Sequence, residues 1–295
     1  LVSRLWLDVD IKVEAASGVT TYSALTNNTG HAFVKACEIE IGGQRIDRHY
    51  SQWLDVYNEL TDHDESEWIG LNKHAAKNAY LKSVNALPNN LQLYIPLKFW
   101  FCRNPGLALP LIALQYHEVK LKLTTRASDA LVNSSHDVTT PGTGNPTIEL
   151  WADYIYLDTD ERRRFAQVSH EYLIEQVQRE TGAAPSTQKL NFNHPVKELI
   201  WTVQADSAFA ETLTGTCDAT LNVDGTVANE GNDYFCYAGI NNATETISGK
   251  SQDECFKDMK LQLNGHDRFS KRAASYFRTC QPIQAGHKVP SKHIY

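Results

Sequence analysis

Apolar residues recur at every second position along much of this chain. Leu5, Leu7, Val9, Ile11 and Val13 share one parity, with Asp8, Asp10 and Lys12 between them, and a period of two places such residues on one face of a strand. The pattern predicts a half-buried antiparallel strand. Cys37, Ile39 and Ile41 alternate in the same way, Gly42 and Gly43 follow, and the chain returns through Arg45 and Ile46. Paired glycines supply the positive φ angles of a tight turn, so this stretch is expected to be a β-hairpin. From Ser51 the period changes: Trp53, Val56, Tyr57 and Leu60 are spaced for one helical face, with Ser51 as the expected cap. Residues 62–67 form a charged surface run, and 71–79 predict a second, weaker helix.

Further strands are expected over 91–101, over 114–123 around Val119, Leu121 and Leu123, and over 148–157. A proline-bounded segment separates the first two. Residues 124–147, rich in Thr, Ser, Asn, Gly and Pro, read as an exposed loop. A second such stretch at 182–187 is the expected linker, dividing the chain into a first β-rich block over 1–178, a linker over 179–190 and a second block over 191–295. A weak internal repeat agrees with two similar halves. The alternating strand, glycine turn and Asp-Arg pair around Gly42, Gly43, Asp47 and Arg48 have a counterpart around Asn264, Gly265, Asp267 and Arg268.

A chain of 295 residues suits two domains of ordinary size. The net charge of -7 gives no basic surface for nucleic acid or an anionic membrane, and no apolar run approaches the roughly 20 residues that span a bilayer. Six cysteines stand without a CxxC pair, which argues against a zinc or thioredoxin-like motif. Free thiols are the default reading, with a disulfide among Cys217, Cys236 and Cys255 left open.

Catalytic and metal readings find little support. The eleven histidines include no His-x-His pair. His63, Asp64 and Glu65 sit in a solvated charged run, and His117 falls on the strand expected over 114–123, where a histidine satisfied within the sheet is the simpler reading. No GxSxG elbow occurs. Asp158 and Asp160 resemble a carboxylate pair, but the charges alternate with Arg162, Arg163 and Arg164 immediately after a strand, which predicts a salt-bridged turn or helix start. Gly42 and Gly43 lack the Lys-Ser or Lys-Thr of a phosphate loop. We therefore expect no catalytic residue, no metal site and no cofactor. Sequons at Asn27, Asn133 and Asn242 are candidate glycosylation sites.

Three stretches carry a more specific signal: Ile41-Gly-Gly-Gln-Arg-Ile-Asp-Arg-His-Tyr50, Pro105-Gly-Leu-Ala-Leu-Pro-Leu-Ile-Ala-Leu-Gln-Tyr-His-Glu-Val119, and Tyr156-Leu-Asp-Thr-Asp-Glu-Arg-Arg-Arg-Phe165 followed by Glu171-Tyr-Leu-Ile-Glu-Gln176. Leu190-Asn-Phe-Asn-His-Pro-Val-Lys-Glu-Leu-Ile-Trp201 and Lys260-Leu-Gln-Leu-Asn-Gly-His-Asp-Arg-Phe269 continue it. In this order they resemble the double jelly-roll major capsid proteins of the nucleocytoplasmic large DNA viruses, most closely those of algal viruses.

The resemblance implies an all-β chain of two tandem antiparallel jelly-roll sandwiches, into which the change of period places a short helical insertion over 51–79. It also implies an internal fragment truncated at both ends, because family members extend further. Such a chain is expected to be a structural, non-enzymatic subunit. Its implied partners are two further copies in a pseudo-hexagonal homotrimer, neighbouring trimers, and minor capsid and penton proteins. It would contact no nucleic acid directly, carry no transmembrane segment, and reside in a virion shell assembled in the host cytoplasm. Gly42, Gly43, Asn264 and Gly265 are the expected structural turns. The rival reading is a carbohydrate-binding jelly-roll module using Trp53, Trp68, Trp100, Trp151 or Trp201 as stacking platforms, most of which sit in apolar patterns and read as core.

Overall fold

A computed structural model describes residues 1–14, 23–25, 28–61, 90–127, 129–134, 142–143, 146–182, 187–204, 234–235, 237 and 254–295. The expected weak helix over 71–79, the charged run at 62–67 and most of the linker at 182–187 lie outside them.

Two antiparallel sheets form the first block. In one, β1 (Val2–Glu14) is central, paired with β5 (Asn90–Pro96) on one side and β9 (Thr147–Tyr154) on the other, while its end meets β8 (Gly142–Thr143). In the other, β3 (Val34–Ile41) lies between β4 (Gln44–Tyr50) and β6 (Val119–Thr125). A short pair, β2 (Ser23–Leu25) with β7 (Val132–Ser134), stands apart. Every ladder among the described residues is antiparallel.

The alternation in β1 does what its period demands: Leu7, Val9 and Ile11 are buried. They share one core with Leu93 and Ile95 from β5, Val34 and Ile39 from β3, and Phe33, Leu54, Phe99 and Phe101. Burying a Leu or Ile side chain contributes about 1.5–3 kcal/mol, so this core, with several such residues from each sheet, is the main cohesive element of the block. Tyr234, Phe235, Tyr237 and Ile294 join it, so chain from beyond the expected linker packs into the first block.

Between β4 and the rest runs helix α2 (Ser51–Leu60), preceded in the chain by the single turn α1 (Thr29–Phe33). The helix starts where its period predicts, but its first residue is not its cap. Tyr50 holds the cap position without a side-chain bond, and Ser51 is buried, with its hydroxyl accepting from Arg126 at 3.1 Å. The most buried face also differs from expectation. Leu54, Asp55, Val56 and Leu60 are buried while Trp53 and Tyr57 are only partly covered, because α1 and the C-terminal segment pack against the Leu54 and Asp55 side.

Three boundaries depart from the sequence pattern, the first where the strand expected over 91–101 ends at Pro96 and Trp100–Arg103 forms one helical turn. Residues 111–116 are turns closed by bonds such as His117 N–H to Leu114 O at 2.8 Å, so β6 begins only at Val119, after Pro110 has directed the chain into a turn. Residues 124–147, expected as loop, contribute the end of β6, a short 3-10 turn at Asp129–Leu131, and β7 and β8. Polar composition did not prevent pairing there, because backbone hydrogen bonds to β1 and β2 do not depend on side-chain polarity.

After β9 comes a helix at Thr159–Gln167, then a long stretch to residue 201 with neither helix nor strand among its described residues. It is held by side chains instead. Gln178 and Asn193 exchange two bonds at 3.0 and 3.1 Å, and Glu180 accepts from Asn191 backbone and amide at 2.9 and 3.2 Å. In the C-terminal part, β10 (Asp258–Met259) pairs with β13 (Arg272–Ala273) around the hairpin of β11 (Gln262–Leu263) and β12 (His266–Asp267). A smaller core of Ala274, Phe277 and Tyr295, flanked by Trp201, Phe256 and Phe269, holds this part together.

Candidate functional site

The two glycine turns have nearly the same backbone. Gly42 and Gly43 take φ of 61° and 82°, and Asn264 and Gly265 take 51° and 81°. In each, the flanking residues are cross-strand partners, Ile41 with Gln44 and Leu263 with His266. Two successive positive φ values make the two-residue hairpin turn whose twist matches paired strands, and Gly-Gly and Asn-Gly are the sequences that tolerate it. The first turn is also anchored: Gly42 N–H donates to Glu118 O at 2.9 Å, and a Cβ on Gly42 would lie 2.8 Å from His117 Nδ1. His117 therefore sits in the turn before β6, exposed and against the hairpin tip, not within the sheet as expected.

Two of the sequence motifs meet in space. Asp47, buried in β4, accepts from Arg48 N–H at 2.8 Å and from Val177 N–H at 3.0 Å, while Gln176 donates to Ile46 O at 2.5 Å. The stretch around residues 171–177 is thereby fastened along β4. Glu175 adds a bond from Arg103 at 2.8 Å and one from Lys197 at 2.5 Å; the Lys197 bond outweighs partial burial and lowers the Glu175 carboxyl from its ordinary value. Buried His49 stacks on Phe99 with centroids 4.5 Å apart. Its Nε2 is 2.8 Å from Asp47 Oδ2, but neither atom has an aligned hydrogen-bond partner, so proximity rather than a strong bond describes the contact. The Asp-Arg-His run serves packing and pinning.

A second polar cluster had no signal in the sequence. Asp55, almost wholly buried on α2, accepts from Asn28 Nδ2 at 2.8 Å, from Tyr237 OH at 3.0 Å, and from Lys292 Nζ at 2.7 and 2.9 Å. Lys292 also lies over the rings of Phe235 and Tyr237. Burial, with Asp55 beside it, pushes the Tyr237 hydroxyl well above its ordinary value and keeps it a donor. The C-terminal segment continues along the helix, with Lys288 N–H on Leu60 O at 2.9 Å and Ser291 on Glu59 through backbone and hydroxyl at 3.1 and 2.7 Å.

The remaining candidates scatter. Asp158 caps the helix at Thr159–Gln167 in a reciprocal capping box with Glu161, and Arg163 lies 3.9 Å from exposed Asp160, a helix start as the charge pattern predicts. Trp100 is buried, and Trp53 and Trp201 are partly covered. Trp151, one of the candidate stacking platforms, is half exposed and stacks on Trp6 at 6.5 Å. It belongs to the outer strand β9, along which Ile148, Leu150 and Tyr154 are exposed too. Trp68, His63, Asp64, Glu65, Asn27 and Asn242 lie outside the described residues, and Asn133 is a strand residue of β7 paired with Ala24, not a loop residue. Cys37, Cys102, Cys255 and Cys280 are free thiols; burial raises Cys37 to about 12 and Cys102 to about 11, so neither is a nucleophile near neutral pH. Cys217 and Cys236 are outside the described residues. Among the described residues no cluster of three or more His, Cys, Asp or Glu is arranged to hold a metal ion, and no helix is long and apolar enough to cross a membrane.

Antiparallel sheets around an apolar core, with polar clusters that fasten segments together, define a β-sandwich protein. The fold is a double jelly roll: over the whole chain it matches the capsid of PBCV-1 in a quasi-atomic model, with a TM-score of 0.67, 32% identity and 70% of that chain covered. The family model for the major capsid protein N-terminus matches residues 1–158, and that for the large eukaryotic DNA virus major capsid protein matches 161–295. Major capsid proteins of Pyramimonas orientalis virus and Paramecium bursaria Chlorella virus 1 are 42% and 36% identical to it, over 99% and 98% of this chain. The chain belongs to the family of large eukaryotic DNA virus major capsid proteins. It spans 61% and 66% of the lengths of those two relatives, and the relatives named here are all capsid proteins, with none a carbohydrate-binding module.

Proposed function

We propose that this chain is the shell-building part of a major capsid protein that assembles as a homotrimer of pseudo-hexagonal outline. One observation carries the reading: essentially the whole chain aligns with proteins named as major capsid proteins, at 36–42% identity. Two similar sandwiches per chain give six similar corners per trimer, and such trimers tile an icosahedral surface. The subunit's work is geometric, with no catalytic turnover. Its partners are further copies of itself and, at the edges and vertices of the shell, minor capsid and penton proteins; it resides in the virion and assembles in the host cytoplasm. The net charge of -7 supports a shell that does not itself bind the genome.

We take the join between the sandwiches to lie at 179–190, a reading supported by the run of side-chain bonds there in place of ladders. The turns at Gly42, Gly43, Asn264 and Gly265 fix hairpin registers that the assembled subunit presents, and Asn27, Asn133 and Asn242 are its candidate glycosylation sites. The test is the solution mass of the protein expressed from the reading frame that encodes this chain. A mass of three copies supports the proposal, and a stable monomer contradicts it.

A further inference from the structure

The Asp55 cluster contains a histidine that the capsid reading does not use. His31, on α1, is completely buried, and its Nδ1 lies 2.8 Å from Asn28 Nδ2. Asn28 Nδ2 also donates to Asp55 Oδ1, and a carboxylate bonded by Lys292 can only accept, so the amide nitrogen must face this corner. With one N–H on Asp55, the other points at His31. Nδ1 is then an acceptor, and the ring is neutral with its proton on Nε2. Among the described residues, that Nε2 and Asn28 Oδ1 have no hydrogen-bond partner.

We propose that Asn28, His31, Asp55 and Lys292 form an acid-sensitive latch, in which one proton taken up by His31 releases the C-terminal segment around Lys292 from helix α2. The inference rests on this side-chain geometry and is independent of the capsid reading. A second proton on the ring places Nδ1–H against the Asn28 N–H, donor to donor. Turning the amide over lets Asn28 Oδ1 accept from His31, but the same oxygen then faces the Asp55 carboxylate. One link of the chain from His31 to Asp55 breaks in either case. Asp55 is also bonded by Tyr237 and Lys292, beside the Ser291–Glu59 and Lys288–Leu60 bonds, so a break at Asn28 loosens one of several ties that hold the C-terminal segment along α2.

The groups facing His31 come from several elements. Asp55 on α2 favours the charged ring, whereas Lys98 beyond β5 and Lys292 in the C-terminal segment oppose it. Arg126, after β6, bonds Ala32 O at 2.5 Å and Ser51 Oγ, and Lys35 on β3 is exposed. Burial is the largest influence, and it lowers the His31 pKa from 6.5 to about 3. The folded value lies below the unfolded one, so the stability tied to the neutral ring is complete above 6.5 and is lost as pH falls from there toward 3.

The test uses the full chain with isotope-labelled histidine, and His31→Gln to assign the resonance. At neutral pH the wild-type His31 ring is expected as the neutral tautomer protonated on Nε2. Below 6.5, the opening constant of residues 28–33 and 287–295, read by hydrogen exchange corrected for intrinsic rates, is expected to rise about tenfold per pH unit for one linked proton. His31→Gln is expected to lose that slope. A proton on Nδ1, a ring that titrates near its ordinary value with these segments still protected, or equal slopes in the two proteins overturns the latch. The tautomer and titration are read on the wild-type protein, so they decide the matter even where the variant fails to fold.

Discussion

At the tip of the β3–β4 hairpin Gly42 and Gly43 take positive φ, and at the tip of β11–β12 Asn264 and Gly265 take values within about ten degrees of them. Around the first, the strands run seven and eight residues, Ile39 is buried in the main core, and Asp47 fastens a distant segment. Around the second, the strands are two residues each and exposed, and Asp267 is held by surface bonds from Lys260 and Gln262. The same turn chemistry thus serves a hairpin inside a sandwich and one on its surface. Local sequence sets the shape of a turn, and what the strands bury sets how much the fold depends on it.

The largest difference is expected from the strands. Ile39→Ala should cost about 2–5 kcal/mol, as a large-to-small change in a closed core does, whereas Leu263→Ala, at a half-exposed position, should stay within about 0.5 kcal/mol. Chemical denaturation of both variants measures this, and equal losses would erase the contrast.

At the turns the ranking becomes finer. Gly42→Ala combines positive φ with contact against His117, and should lower stability more than Gly43→Ala, whose added Cβ meets nothing within 4 Å. Gly43→Val and Gly265→Val each strain the backbone by on the order of 1 kcal/mol or more. Thermal melting should register the Gly43 change, with lower trimer yield. Hydrogen exchange should place most of the Gly265 effect in β11 and β12 alone.

A smaller effect separates the two regions by pH. Tyr295 and Arg278 meet at Glu254, where Arg278 makes bonds of 2.7, 2.9 and 3.1 Å and Tyr295 OH donates at 2.9 Å. Burial alone would raise the Glu254 carboxyl, but these bonds outweigh it and lower it below 4.5. Its contribution is therefore present above that value and lost as pH falls below it. For a partly buried pair in contact with solvent it amounts to about 1 kcal/mol. Arg278→Met should flatten the acid limb of melting temperature by that amount while leaving the neutral hairpin contrast unchanged.

Much of the fold was legible in local pattern. The parity of Leu7, Val9 and Ile11, the glycine pair after Ile41 and the helix start in the charge run after Asp158 are each written within a few residues, and each forms as written. What was hidden depends on partners far away in sequence. Ser51 looks like a cap until Arg126 takes its hydroxyl, and Asp55 looks like the polar side of a helix until Lys292 and Tyr237 arrive from the other end of the chain. Trp151 sits among apolar neighbours yet is half exposed, because among the described residues β9 pairs only with β1. Turn and capping chemistry is local, whereas burial of a polar group is a tertiary decision.

Cryo-electron microscopy of the shell formed with this protein decides whether the chain builds trimeric capsomers. Three copies of the chain are expected in each six-cornered capsomer, with the β3–β4 hairpin packed inside its sandwich and the 287–295 segment lying along α2. A shell whose capsomer density does not accommodate this chain, or accommodates it in any number other than three copies, would contradict that assembly.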